Sequence, residues 1–372
     1  DNAEAPAASE PEDNAPEQSE EAAAGPEDGG TAVAKTIGAN SETLSGGGVS
    51  VNNSTKGISV DPAALADSTL TQTIAPASEG PQILIMHTHA TEAYTMAGDD
   101  RYEETDSCRT SDANYNMLRI GEEMKLEFEA QGFSVLHDTT LYDYPSYTGS
   151  YTRSLAGVKQ ILTDHPSISV VLDVHRDALI AEDGTVYKAV TEVNGQPTAQ
   201  VMLVVGTNDG GLEHPNWLDN LDLAAHIQLQ MAALEPTLPR PINLRAQRFN
   251  QHLTPCSLLV EVGTSGNTLQ EAIRGARYFA QSAGAVYQAL VQGVSARTPG
   301  WTDAYAASPT VTFAETMAWL IDMQRFYIDR ITEEHRLCLL RLRALLGLCL
   351  ALGLGLRLRL RLLRRRLRLR DL

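Results

Sequence analysis

The chain has 372 residues, with 29 Lys and Arg against 47 Asp and Glu, so its formal charge is −18. Residues 336–372 carry eleven arginines and one aspartate, and removing that +10 leaves −28 on residues 1–335. So acidic a body gains nothing from phosphate counterion release, which excludes nucleic acid as an expected partner.

Residues 1–80 are rich in Ala, Glu, Pro, Ser, Gly and Asn and contain no aromatic residue. Such a segment offers too little apolar surface to offset the entropy of ordering it, so it is expected to be a disordered, acidic tether. From residue 81 to about 293 strand-like and helix-like segments alternate. That alternation predicts one α/β domain, a mostly parallel twisted sheet covered by helices on both faces.

The first strand is the apolar run Ile83-Leu84-Ile85-Met86, which stops at His87-Thr88-His89-Ala90-Thr91-Glu92. Open α/β sheets place their ligands at the carboxyl ends of their strands, so an imidazole and a carboxylate delivered together there point to a metal site. A long polar stretch, 93–110, reads as a substrate-contacting loop. Ser111 or Asp112 is the expected cap of a helix whose core face is Met117, Ile120, Met124 and Phe128. Phe133 to Leu136 reads as a short strand, and Ser150 to Leu162 as a second helix.

A further strand, Ile168 to Val174, ends in His175, and Asp173 shares its face, placed to accept the ring hydrogen of a ligand histidine or simply to meet solvent. Ala199 to Val205 is wholly apolar apart from Gln200 and reads as a strand buried on both faces. Helices are expected from Pro215 to Leu234 and from Asn267 to Gln292. Between the last two lies Ser257-Leu258-Leu259-Val260, which ends in Glu261.

Three strands therefore terminate in His and Glu, in His, and in Glu. Two imidazoles and one carboxylate make the three-ligand set of a catalytic zinc, with the fourth position left for water and a further glutamate to move that water's proton. His87 remains an alternative to His89, since either ends the first strand. Arg176 is a candidate to hold a substrate carbonyl or carboxylate, or to pair with Asp177. Tyr94 fits either cleft lining or packing. His137, His165, His214, His226 and His252 lack partners at ligand spacing and read as surface or capping residues, and Cys108 and Cys256 as half-buried thiols with no CxxC spacing.

Four motifs carry a resemblance: His87-Thr88-His89-Ala90-Thr91-Glu92-Ala93-Tyr94, Tyr147-Thr148-Gly149-Ser150-Tyr151-Thr152-Arg153-Ser154, Asp173-Val174-His175-Arg176-Asp177-Ala178, and Asn250-Gln251-His252-Leu253 leading into Leu258-Leu259-Val260-Glu261-Val262-Gly263. In this order the segment from about 81 to 292 resembles the stage II sporulation protein P family, zinc-dependent peptidoglycan amidases of endospore-forming Firmicutes. The resemblance implies a zinc amidase or carboxypeptidase-like (phosphorylase/hydrolase-like) fold. It implies cleavage of the amide between N-acetylmuramic acid and L-alanine, with cross-link endopeptidase activity also ascribed to the family, in remodelling septal peptidoglycan during engulfment. Glycan strands and stem peptides are the implied substrates, and stage II sporulation proteins D and M the implied partners.

Zinc is assigned on that basis to His89, Glu92 and His175, and the base to Glu261; Arg153 and Asn250 are motif positions without a role. The broader cell-wall amidases take a glutamate ligand from the start of the next helix, where this chain has Ser111-Asp112-Ala113-Asn114, so Glu92 stands in. Two rival readings stay open: a metallocarboxypeptidase or endopeptidase on stem peptides, needing a carboxylate-binding Arg109, Arg153 or Arg176, and a non-catalytic septal binding module. The acidic N-terminal segment suits the family's extracytoplasmic domain, tethered to the mother-cell septal membrane by an anchor expected to precede this chain. Residues 294–372, ending in Leu/Arg alternation that puts no leucine face on a helix, are expected to lie outside the working domain.

Overall fold

The computed structural model describes residues 32–291. In chain order the elements are β1 (Val33–Lys35), β2 (Leu44–Gly46), β3 (Val49–Asn53), α1 (Pro62–Ala66), β4 (Ile83–Met86), α2 (Met117–Ala130), β5 (Val135–His137), α3 (Ser150–Asp164), β6 (Val170–Asp177), β7 (Tyr187–Val193), β8 (Gln196–Ala199), β9 (Val201–Gly206), α4 (Trp217–Leu234), β10 (Ile242–Arg245), β11 (Ser257–Thr264) and α5 (Leu269–Val291). Eight strands form the main sheet in the order β2-β3-β10-β9-β11-β6-β4-β5, and β1-β7-β8 form a small second sheet.

The expected α/β architecture is present, with one feature that strand patterns do not carry. β11, β6, β4 and β5 run parallel to one another, as do β3, β10 and β9, but β9 and β11 meet antiparallel, so the two blocks point in opposite directions. The carboxyl ends of β4, β6 and β11 therefore share one edge, and that of β9 lies at the other. An all-apolar strand such as β9 is buried on both faces whichever way it runs, so its direction is not written in its residues.

Strand alternation divides the core. Ile83, Ile85, Leu172, Val174, Val260 and Val262 face the large cluster under α2, α4 and α5, whereas Leu84, Met86 and Val171 face α3 through Val158. In α2 the residues Met117, Ile120, Met124 and Phe128 recur at helical spacing and are fully buried, each stabilising the fold by roughly 1.5–3 kcal/mol relative to exposure. Phe128 stacks on Tyr287 of α5, ring centroids 5.9 Å apart. Glu123 joins the same two helices, accepting hydrogen bonds from Arg119 and Arg277.

Two expectations change. Residues 32–80 are not part of a tether: β3 pairs with β10 inside the main sheet, burying Val49 and Val51, and Leu65, Leu70 and Ile74 join the core. A five-residue strand among Gly, Ser and Asn is too short to shift the segment's composition. The cap of α2 is Asn116, whose side chain accepts from the Leu118 amide, rather than Ser111 or Asp112. Residues 1–31 of the expected tether and the doubtful extension 294–372 lie outside the described residues.

Candidate metal centre

β4 ends at Met86, and the chain then turns sharply enough to bury His87, Thr88, His89, Thr91 and Glu92 together. His89 and Glu92 meet His175 of β6, and one ligating atom from each lies within 4.8 Å of the others. His89 Nδ1 is 3.8 Å from Glu92 Oε1 and His175 Nδ1 is 3.6 Å from Glu92 Oε2. The other nitrogens face away: His175 Nε2 is 2.8 Å from Asp173 Oδ1, and His89 Nε2 is 3.1 Å from Ser150 Oγ. The tautomers that donate Nε2–H to Asp173 and Ser150 leave both Nδ1 lone pairs turned toward Glu92. Two imidazole nitrogens and a carboxylate oxygen, with their outer atoms already bonded, form a donor set suited to zinc.

The electrostatics differ between the two histidines. Burial, with His175 nearby, pushes His89 down to about 3, so it is a neutral imidazole at ordinary pH. Burial alone would raise Glu92, but Arg176, His175 and Arg109 outweigh it and hold the carboxyl below the usual range. His175 is also desolvated, yet Asp173 and Glu92 on either side draw positive charge onto it and raise its pKa well above the ordinary value. An imidazole between two carboxylates is a place that favours a cation.

Glu261 stands next to the centre's His175 by sheet register. It is paired with His175 across the parallel β6–β11 ladder, so both side chains leave the same face, and Glu261 is half-buried where the other three are buried. The register shifts just beyond it, with Gly263 at φ +65°. A Cβ on Gly263 would lie 2.7 Å from Asn267 Oδ1 and 2.9 Å from Ala199 Cβ, so both the conformation and the space require glycine at this bulge.

The segment between β5 and α3 covers the ligands. Asp143 accepts from the Thr91 amide and hydroxyl and from Arg109, whose other nitrogen is 3.4 Å from Glu92. Tyr147 stacks on His89 at 4.5 Å and lies 4.9 Å from the Arg109 guanidinium carbon. Arg153 holds this segment in shape by donating to the carbonyls of Tyr142, Ser146 and Thr148. Asp143, Tyr147 and Ser150 were not singled out from the sequence. Tyr147 and Ser150 stand in a quoted motif, but nothing around Asp143 sets it apart from a surface loop acid.

Several expectations are corrected. His87 does not join the centre: its Nδ1 is 2.8 Å from the Val174 carbonyl and its Nε2 2.9 Å from His137 Nε2, on the α2 side of the sheet. His137 is thus no surface residue, and His214 and His226 are buried as well. Arg176 is not aimed at a cleft; its guanidinium donates to the Ala93 and Cys108 carbonyls, and its backbone amide to Glu92. Asp177 pairs instead with Arg240 at 2.7 Å. Of the two readings open for Tyr94 the structure supports packing, its hydroxyl donating to the Val262 carbonyl, while Cys108 and Cys256 are buried free thiols rather than half-buried ones.

The family model described as Stage II sporulation protein P (SpoIIP) matches residues 2–283, well over half of the chain. The chain belongs to that family. A curated SpoIIP-family relative, "Stage II sporulation protein P" of Bacillus subtilis (strain 168), is 27% identical over 209 residues, which is 52% of this chain and 48% of the relative. The chain thus spans about half the length of the curated relative it matches. Among solved structures it is similar to the CwlD amidase of Clostridioides difficile in complex with the GerS lipoprotein, at 16% identity and a TM-score of 0.37, covering 56% of this chain and 99% of that one. It is also similar to the N-acetylmuramoyl-L-alanine amidase AmiC2 of Nostoc punctiforme, at 13% identity and a TM-score of 0.31, covering 58% of this chain and 98% of that one.

Proposed function

We propose that this SpoIIP-family chain is a zinc-dependent peptidoglycan hydrolase that cleaves the amide between N-acetylmuramic acid and L-alanine in septal peptidoglycan. The observation that carries the reading is the convergence of His89, Glu92 and His175 within 4.8 Å, with the outer nitrogens of both histidines already engaged. The resemblance of the surrounding motifs supplies the substrate.

His89 and His175 would hold zinc through Nδ1 and Glu92 through a carboxylate oxygen. Zinc held there supplies a Lewis acid for the scissile carbonyl and makes water nucleophilic at neutral pH. Asp173, itself fixed by the Thr88 amide and hydroxyl, keeps His175 in the ligating tautomer, as Ser150 does for His89. Glu261, half-buried beside His175 on the same sheet face, would take the proton of the attacking water and deliver it to the leaving amine. Arg176 acts as a positioning residue, tying Glu92 to the chain segment at Ala93 and Cys108.

A carboxypeptidase would need an arginine for the substrate's terminal carboxylate. Arg109 is bound to Asp143 and Glu92, Arg153 to loop carbonyls and Arg176 to main-chain carbonyls, so the donors proposed for that task are spent. An extracytoplasmic setting, held at the mother-cell septal membrane with the stage II sporulation proteins D and M as partners, belongs to the same family-based reading. Among the described residues no helix is long and apolar enough to cross a membrane. Mass spectrometry of fragments released from purified peptidoglycan tests the bond: free stem peptides beginning with L-alanine are expected, and fragments cut only within the peptide would overturn the amidase assignment.

A further inference from the structure

Tyr147 and Tyr151 lie four residues apart on either side of Gly149, whose φ of +83° turns the chain into α3. Their rings flank the same imidazole, Tyr147 stacked on His89 at 4.5 Å and Tyr151 edge-on at 5.6 Å. Phe249 continues the row, its ring centroid 6.0 Å from that of Tyr151. All three aromatic residues are half-buried, so each keeps part of its surface open to solvent.

The placement of Phe249 is held against an intrinsic cost. Its φ is +49° and that of Asn250 is +59°, and a bulky residue in the left-handed region is disfavoured by about 1–3 kcal/mol. Asn250 Nδ2 offsets this by donating to the Tyr151 carbonyl and to Ser154 Oγ, fastening the loop after β10 to the first turn of α3. Beneath, Phe249 rests on Met202, Val204 and Leu259, and Met202 is the register partner of Glu261. The strained pair thus presents an aromatic ring on the sheet face shared by Glu261 and His175.

We infer that Tyr147, Tyr151 and Phe249 form a platform for sugar rings of the glycan strand, so that the enzyme grips its substrate chiefly by the glycan rather than by the stem peptide. The inference rests on the peptidoglycan reading and names the part of that substrate that is bound. Aromatic side chains bring large apolar area with a polar tip, which matches the C–H face and hydroxyl rim of a pyranose. Stem peptides carry carboxylates, and the arginines bordering the centre are committed to Asp143, Glu92 and main-chain carbonyls. An uncharged ring is what the remaining surface suits.

The test is binding of the full chain to two soluble probes, the N-acetylglucosamine tetramer and a stem tetrapeptide, by titration calorimetry. Zinc content is measured in parallel, so failure of the metal reading registers separately. The tetramer is expected to bind, Phe249→Leu and Tyr151→Leu each to weaken it roughly five- to tenfold, Phe249→Tyr to restore it, and the tetrapeptide affinity to stay unchanged in every variant. Leu keeps the apolar cover over Met202 and Leu259, so Phe249→Leu removes aromaticity with little loss of packing. Should either Leu variant fail to fold, saturation transfer from aromatic protons to the tetramer's ring protons in the unaltered chain decides the matter. Absence of tetramer binding or of that transfer, equal binding by the Leu variants, or loss confined to the tetrapeptide would overturn the inference.

Discussion

Two histidine pairs stand at the end of β4, and only one is built to hold a metal. His87 and His137 face α2, where the pair is closed: Nε2 meets Nε2 at 2.9 Å, and the remaining nitrogen of His87 is taken by the Val174 carbonyl. His89 and His175, ring centroids 5.0 Å apart, face α3, and there each Nε2 is engaged while each Nδ1 turns toward Glu92. Residues 87 and 89 differ in neither type nor burial. What separates them is which nitrogens the surrounding protein has already claimed and whether a carboxylate stands between the rings.

The comparison is broken most directly by deleting one member of each pair. His175→Ala and His89→Ala are expected to reduce bound zinc from about one equivalent to background, since a third of the donor set is lost. His87→Ala should keep its zinc but lose about 2–4 kcal/mol of stability, because it opens a cavity and strands His137 and the Val174 carbonyl. Elemental analysis and urea unfolding of the same preparations check both. Zinc lost in His87→Ala but retained in His89→Ala would transfer the first ligand to His87.

The two glutamates sharpen the open pair. Glu261→Gln should keep zinc while hydrolysis falls about a hundred- to ten-thousandfold, as expected for a lost general base. Glu92→Gln should lose zinc affinity together with rate. A metal-free Glu261→Gln protein, or one hydrolysing at the unaltered rate, would reverse the assignment of base and ligand. Asp173→Asn is expected to act more weakly, reducing zinc affinity about 10- to 100-fold by releasing the His175 tautomer; competition with a chromogenic chelator measures it.

Why the open pair was legible and the closed one was not follows from the kinds of signal each leaves. His89 and Glu92 follow an apolar strand, and His175 and Glu261 close apolar runs, although β6 and β11 themselves continue past them to Asp177 and Thr264; in a parallel block such positions gather toward one edge. The pairing of His87 with His137 depends on β5 lying beside β4 and on α2 covering both, neither of which a spacing of fifty residues discloses. Asp143 and Tyr147 sit in a loop whose path is set by Arg153 bonding three carbonyls, a tertiary fact with no periodicity. The antiparallel meeting of β9 and β11 was equally hidden, as was β3, whose alternation spans only five residues.

His214 supplies the smallest and most exacting contrast, being a buried histidine whose two ring nitrogens meet no hydrogen-bond partner among the described residues. Burial, with His252 and Arg248 nearby, lowers it to about 4, so it is neutral in the folded chain. In the unfolded chain it takes up a proton near its ordinary value of about 6.5. The unfolded state therefore binds more protons between about pH 6.5 and 4, and stability must fall as pH is lowered through that window. At pH 5 the contribution is about 2 kcal/mol relative to pH 8. His214→Gln, which cannot protonate, is expected to show a correspondingly shallower loss of stability between pH 8 and pH 5 in urea titrations, with zinc content unchanged. An unaltered slope would mean that His214 is charged in the fold, and an unclaimed ring nitrogen would then no longer distinguish a neutral buried histidine from a ligand awaiting its carboxylate.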